Sequence, residues 1–213
     1  IDRICYRPFR EAARETALIA TIGLSITLRS SAQVIFGTQQ KFMPDMFGNR
    51  FLAFGEVRIT YTQLFVLSTV MFLCILLQQL VTNTKFGVAL RAVSMDKKAA
   101  ALLGVDVNRA VLLGNALACG LGGISGVLLG MYYNAIHPLM GAAMAMKAFT
   151  STVFGGLGSI AGAAIGGFLL GIFENFGVAL LSSGYRDIFT FLILVIVLLL
   201  RPSGIMGRKG AEL

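Results

Sequence analysis

The chain has 213 residues, of which 56% are hydrophobic and 13% charged, with a mean hydropathy of +0.81 and 25 glycines. Soluble domains carry about 25% charged residues, so this composition excludes a water-soluble globular protein and indicates an integral membrane protein. The net charge of +8 does not point to nucleic acid, because the basic residues are spread over polar intervals between apolar runs and form no single basic face.

In chain order, Ile1 to Thr16 is polar and carries Arg3, Arg7, Arg10 and Arg14, the pattern of a cytoplasmic approach to a membrane helix. It has neither an initial Met nor a signal peptide, so the chain is expected to be a fragment of a longer protein. Ala17 to Phe36 is the first spanning segment, since a bilayer core needs about 20 apolar residues. Arg29 and Gln33 lie in its C-terminal half, where Arg29 reads as an interfacial anchor reaching toward the far headgroups, with a pathway residue as the alternative. Gly37 to Thr60, with Pro44, Asp45, Gly48, Asn49, Gly55 and Glu56, is an external loop containing a hairpin candidate between Phe51–Phe54 and Val57–Tyr61. Gln63 to Val81 is an apolar run broken only by Gln78 and Gln79 at its end, and is the plainest membrane span.

Residues 83–109 then form a basic interval that cannot sit in lipid, with Lys85, Arg91, Lys97, Lys98 and Arg109. Within it Ser94 is expected to cap a short helix with Asp96 in its first turn, Lys97 to Leu103 supplies helix formers, and Gly104 supplies the stop. Ala99, Ala100 and Ala101 would let a partner's groove approach the helix closely, while the bland alternative is a basic loop on anionic lipid.

Ala110 to Tyr133 is the third span and carries Gly122, Gly126 and Gly130 at four-residue spacing. Gly158, Gly162 and Gly166 repeat the device, with Gly167 and Gly171 as a second pair, so two helices are expected to offer close-packing stripes. Neither glycine cluster gives G-x-G-x-x-G between a strand and a helix, which argues against a dinucleotide loop. His137 and Pro138 end an external turn. Leu139 to Phe154 is apolar but short, with Lys147 at its middle; Gly155, Gly156, Gly158 and Ser159 follow. A helix from Ile160 to Leu181 contains Glu174 and Asn175, and Ile188 to Leu200 is the last apolar run. The segments make an all-α, polytopic helical bundle of about six membrane segments, one pair of them short or broken, within a single domain spanning 1–213. Tyr6, Tyr61, Tyr132, Tyr133 and Tyr185 fall near segment ends. Cys5, Cys74 and Cys119 have no C-x-x-C spacing and read as packing residues, and no metal site is indicated.

Counting Lys and Arg on the two sides of six crossings places both termini and residues 83–109 in the cytoplasm. Lys147 and Glu174 are the most deeply placed ionisable side chains, and a charge inside the membrane is a functional candidate with a partner to be named. They are expected to neutralise one another across the glycine break, or to meet substrate directly. Irregular backbone at depth survives only inside protein or beside a wet cavity. Lys147, Glu174, Gly155, Gly156 and Gly158 are therefore the translocation-path candidates. Reversing both charges tests the pairing.

Lys98-Ala99-Ala100-Ala101-Leu102-Leu103-Gly104 resembles the E-A-A-x-x-x-G loop of ABC importer permeases, with Lys in place of the first Glu. The string GVALRAVSMDKKAAALLGV, with KAFTSTVFGGLGSIAGAAIGG, the Glu174 helix and the ending RPSGIMG, is similar to the branched-chain amino acid permeases of the LivH type over essentially all 213 residues. In that family the first membrane helices would precede Ile1. The resemblance implies a permease subunit of an inner-membrane ABC importer for branched-chain amino acids. Its implied partners are a second, LivM-like permease, two cytoplasmic ABC ATPases and an extracytoplasmic binding protein. Arg91, Ser94, Asp96, Lys98, Ala99, Ala100, Leu103 and Gly104 would form the ATPase-coupling loop, and ATP with Mg would sit on the ATPases, with no cofactor on this chain. No P-loop and no nucleophile with its base occur, so the chain is not itself a catalyst. On this reading Gly104→Val or Ala100→Glu abolishes ATPase docking and leaves the membrane fold intact. The same machinery importing urea or short amides, and a secondary transporter or channel, stay open as alternatives.

Overall fold

The computed structural model describes residues 14–44, 47–48, 51–54, 57–156, 158–180, 186–200 and 204–206. Arg3, Arg7, Arg10, Arg201, Arg208 and Lys209, on which much of the orientation argument stands, lie outside the described residues, as do Tyr6 and Tyr185. The described elements are α1 (Arg14–Phe36), β1 (Lys41–Phe42), β2 (Phe51–Phe54), β3 (Val57–Thr60), α2 (Tyr61–Asn83), α3 (Lys85–Met95), α4 (Lys97–Leu102), α5 (Val107–Tyr133), β4 (Ala135–Ile136), α6 (Met140–Gly155), α7 (Ile160–Leu180) and α8 (Arg186–Leu200). The expected all-α membrane architecture is present, with small β pieces confined to the loops.

Among the described residues, four helices are long and apolar enough to cross a bilayer: α1, α2, α5 and α7. The other two expected segments are shorter, 16 residues in α6 and 15 in α8. At about 1.5 Å per residue, α6 reaches only about 24 Å, less than a full hydrocarbon core of about 30 Å.

The helices satisfy their own polar groups, as lipid demands. In α1 the hydroxyls of Thr27 and Ser31 donate to the carbonyls one turn back, at 2.9 and 2.8 Å. Gly37, with φ +83°, ends that helix. At the start of α2 the Thr60 N–H donates to the Gln63 side chain at 3.2 Å, half of a capping box.

The chain divides into two compact units, Ile1–Val66 with Val88–Met140, and Leu67–Gly87 with Gly141–Leu213. In the first, the expected hairpin is present, β2 against β3 with Phe54 opposite Val57. A second ribbon was not foreseen: β1 pairs antiparallel with β4, Lys41 opposite Ile136. It forms because Asn134 turns the chain out of α5 in the left-handed conformation, its carbonyl accepting from Met43 N–H at 3.1 Å. One small buried cluster of this unit is Val93, Ala100 and Ala110, packed by Val105, Val107 and Val111. In the second unit, α7 packs on both α6 and α8, with Val153, Leu170 and Thr190 buried. Elsewhere large apolar side chains such as Ile22, Val34, Phe72 and Leu76 face outward, which suits lipid and would be a liability in water.

Candidate functional site

Residues 83–109 fold as two short helices and the first turn of a long one. The sequence pattern revealed α4 but not α3, which takes up Lys85–Met95. Thr84 makes the corner between α2 and α3: its hydroxyl accepts from Gly87 N–H at 3.1 Å and donates to the Leu80 carbonyl. A Cβ at Gly87 would lie 2.6 Å from Val81 Cα, so the turn is too tight for any residue but glycine.

α4 has only six residues, too few to form alone. Three local devices hold it. Asp96, in extended conformation, accepts from the N–H groups of Lys98 at 2.7 Å and Ala99 at 3.2 Å. This corrects the expected cap: Ser94 lies inside α3 and its hydroxyl donates to the Arg91 carbonyl at 2.7 Å, because α3 continues through it. At the other end Gly104, with φ +83°, donates to Ala101, and Val105 donates to Ala100, the two bonds of a Schellman stop. Third, Ala100 is 2% exposed against Val93 and Ala110.

That burial changes the reading of the alanine run. Ala99 and Ala101 face outward, whereas Ala100 is the side chain by which α4 docks on its own unit. A Glu there would dislodge α4, so Ala100→Glu does not test a partner surface with the fold intact. The outward face instead shows Leu102, 89% exposed, and Leu103, 82%, with Met95, Lys97, Lys98 and Arg91 also exposed. Asp106 opens α5, accepting Arg109 N–H at 3.1 Å and pairing with its side chain. The loop therefore presents a small apolar patch with a basic border on a helix whose ends are fixed.

The second locus is the hairpin of α6 and α7. Ser159 caps α7, its hydroxyl accepting from Gly162 N–H at 3.0 Å. Gly156 and Gly158 take φ of +113° and +90° in the turn, the conformation that favours glycine. The helices then touch backbone to backbone: a Cβ on Gly162 would meet Gly155 O at 2.5 Å, and one on Gly166 would meet Gly155 N at 2.7 Å. Lys147, Ser151 and Gly155 lie at four-residue steps on α6, as do Gly162, Gly166, Leu170 and Glu174 on α7. Carrying that register toward the open end of the hairpin brings Lys147 Nζ onto Glu174 Oε1, a hydrogen-bonded ion pair with side chains 19% and 11% exposed. Lys147 and Glu174 are thus partners, across the glycine hairpin.

Gly155 and Gly156 have a further neighbour that the sequence did not disclose. Ile205 N–H donates to Phe154 O at 3.0 Å and Met206 N–H to Gly155 O at 2.9 Å, so the segment after α8 is clipped to the end of α6. Gly204, with φ +74°, comes so close that a Cβ would lie 2.5 Å from Gly156 Cα. The only signal was that GGLGS and SGIMG are both rich in glycine.

The other stripe behaves differently. Gly130 packs on Ile136 and Met43, but Gly122 and Gly126 have open space where a Cβ would be. The close packing expected of them is not made among the described residues. Among the described residues, no three His, Cys, Asp or Glu gather as metal ligands.

A family profile described as branched-chain amino acid transport system / permease component matches residues 4–198. The chain is 38% identical over 216 residues to the high-affinity branched-chain amino acid transport system permease protein LivH of Salmonella typhimurium, covering 100% of this chain and 70% of that protein. The same figures describe the LivH protein of Escherichia coli K12. The permease protein BraD of Pseudomonas aeruginosa is 37% identical over 217 residues, again 70% of its length. No solved structure matches the chain.

Proposed function

The chain belongs to the family of permease components of branched-chain amino acid transport systems, and from that premise we propose how this subunit does its part of the work. It is a multi-pass membrane transport subunit of an ABC system and not an enzyme, and such a permease implies partner ATPases and a binding protein.

In the proposed arrangement the substrates are branched-chain, hydrophobic amino acids. Two cytoplasmic ATPases, carrying the ATP and Mg that this chain does not bind, engage the outward face of α4. A LivM-like permease covers the bare face of α5 at Gly122 and Gly126. Both termini lie in the cytoplasm of an inner-membrane protein, and a binding protein delivers substrate from the opposite side. The path follows the α6/α7 hairpin, where the only deep charges described are Lys147 and Glu174. Closure of the ATPases on ATP would pull on a helix that transmits force because both its ends are fixed.

The observation that carries this reading is α4, six residues capped by Asp96 and stopped at Gly104, with Leu102 and Leu103 left bare. Solvent-facing leucines on a helix built so firmly fit a seat for another protein. Uptake of labelled leucine into vesicles holding the full-length permease and its partners tests it. Uptake is expected to vanish with ATPases that bind but do not hydrolyse ATP. Uptake that persists with them would replace the proposal by a secondary transporter or channel.

A further inference from the structure

We propose that Lys147 and Glu174 are the recognition site for the substrate's main chain, and that the ion pair opens by exchange with a zwitterion. The inference rests on the permease reading above and names the chemical class that this hairpin passes.

The hairpin is closed by backbone contact at Gly155, Gly162 and Gly166 and by the ring contact of Phe154 with Phe173, and toward its open end Lys147 and Glu174 join the two helices through flexible side chains. Desolvating both ions offsets most of their attraction, and replacing a buried pair by well-packed apolar residues is often neutral or stabilising. Removing one partner is another matter, because the charge left in the membrane has no compensation. A pair of this kind is stable closed and costly to open, unless the opening agent brings one charge of each sign.

An α-amino acid does so. Its carboxylate takes the place of Glu174 on the Lys147 ammonium while its own ammonium takes the place of Lys147 on the Glu174 carboxylate. No proton moves and the net charge of the site stays zero. Both ions remain paired throughout, so the exchange needs only side-chain rotation. Urea and simple amides carry no formal charge and satisfy neither ion. A lone amine or a lone carboxylate satisfies one and strands the other. With side chains 19% and 11% exposed, the pair is partly open to an approaching molecule. A recess of about 450 Å³ lies along the same helix, lined by Gly171, Ile172, Asn175 and Phe176. The larger groove of the same unit, about 680 Å³ between α2 and α7, is lined by Leu67, Met71, Ile165 and Phe168 with Gln78 and Gln79, and carries no charge for either end of a zwitterion.

The test uses the full-length permease with its partner subunits. Lys147→Gln combined with Glu174→Gln removes both charges together and leaves no stranded ion. A structural pair predicts near-normal uptake for this double variant. The zwitterion site predicts assembly with the ATPases as in the native complex and leucine uptake reduced about tenfold or more, the loss expected for charge-assisted hydrogen bonds. Uptake within twofold of native would overturn the proposal and leave the permease reading standing. A native complex that transports no amino acid at all would instead sink that reading. If the double variant does not assemble, direct binding of labelled leucine to the native complex, without binding protein, decides the matter. Leucine is expected to compete at least about tenfold better than leucinamide or 4-methylpentanoate, with urea and acetamide ineffective. Equal competition by the uncharged amides would overturn it.

Discussion

Replacing Gly166 by Ala sets two effects of opposite sign against each other. Alanine is the better helix former by about 1 kcal/mol, so on an exposed helix the change would stabilise. At Gly166 the new Cβ would lie 2.7 Å from Gly155 N, where ordinary contact begins at 3.4 Å, and closer still to Ser151 O. The helices would have to part by at least 0.7 Å (3.4 − 2.7), and because the obstacles are backbone atoms no rotamer relieves them. Overpacking of this sort costs about 1–3 kcal/mol, often more against rigid backbone, so the clash exceeds the propensity gain. Parting the helices also stretches the Lys147–Glu174 contact. Gly126 is the control, since nothing lies within 4 Å of its Cβ position, and there only the propensity term remains. The measurement is the thermal midpoint of the purified full-length permease, free of partners, followed by circular dichroism of its helices. Gly166→Ala should lower the midpoint and Gly126→Ala leave it unchanged or raise it. The same direction of shift for both would show that the hairpin is not closed by glycine contact.

Asp96→Ala removes the acceptor for two N–H groups of α4 and should cost about 1 kcal/mol, a fall of roughly fivefold in ATPase affinity if docking needs the helix formed; Ser94→Ala, which touches only the Arg91 carbonyl, should have a much smaller effect in the same pull-down. Leu102→Ser with Leu103→Ser should leave the melting profile intact yet weaken ATPase binding, whereas Ala100→Glu should lower both, and equal behaviour of the two variants would remove α4 as a specific seat. Gly204→Val should release the segment after α8 from α6, since its Cβ would lie 2.5 Å from Gly156 Cα; faster proteolysis near residue 204 is the readout, and native resistance would refute the clip.

The spans were legible because lipid imposes a length and a composition that survive in one dimension: α1, α2, α5 and α7 fall where the apolar runs do. The hairpin of β2 and β3 showed itself by alternation. Lys147 and Glu174 were legible because charges stand out in apolar sequence. What a sequence holds poorly is the choice between equivalent local solutions. Ser94 and Asp96 are both good caps, and only the continuation of α3 through Ser94 decides for Asp96. Gly122 and Gly166 sit in similar stripes, yet one faces open space and the other a carbonyl oxygen, a difference made by what packs opposite. The two-residue strands β1 and β4 are too short for any pattern, and the clip of Ile205 and Met206 onto α6 joins segments some 50 residues apart by backbone groups that every residue carries.

If glycine contact closes the hairpin and only side chains part for substrate, α6 and α7 must stay together while transport proceeds. This can be tested by covalent means. A Cβ on Gly167 would lie 3.6 Å from Ser151 Cβ, within the separation of about 3.5–4.5 Å that a disulfide spans. Ser151→Cys with Gly167→Cys, in a background where Cys5, Cys74 and Cys119 are Ser, should therefore form the crosslink readily under mild oxidation. The bond lies on the glycine-packed side of the pair, one turn of α6 from Lys147, so it fixes the helices without occupying either ion. Oxidised complexes should take up leucine at close to the rate of the same complexes after reduction. Uptake lost on oxidation and recovered on reduction would mean that the helices themselves must separate, and the pair would then open as part of a helix movement and not by exchange between fixed helices.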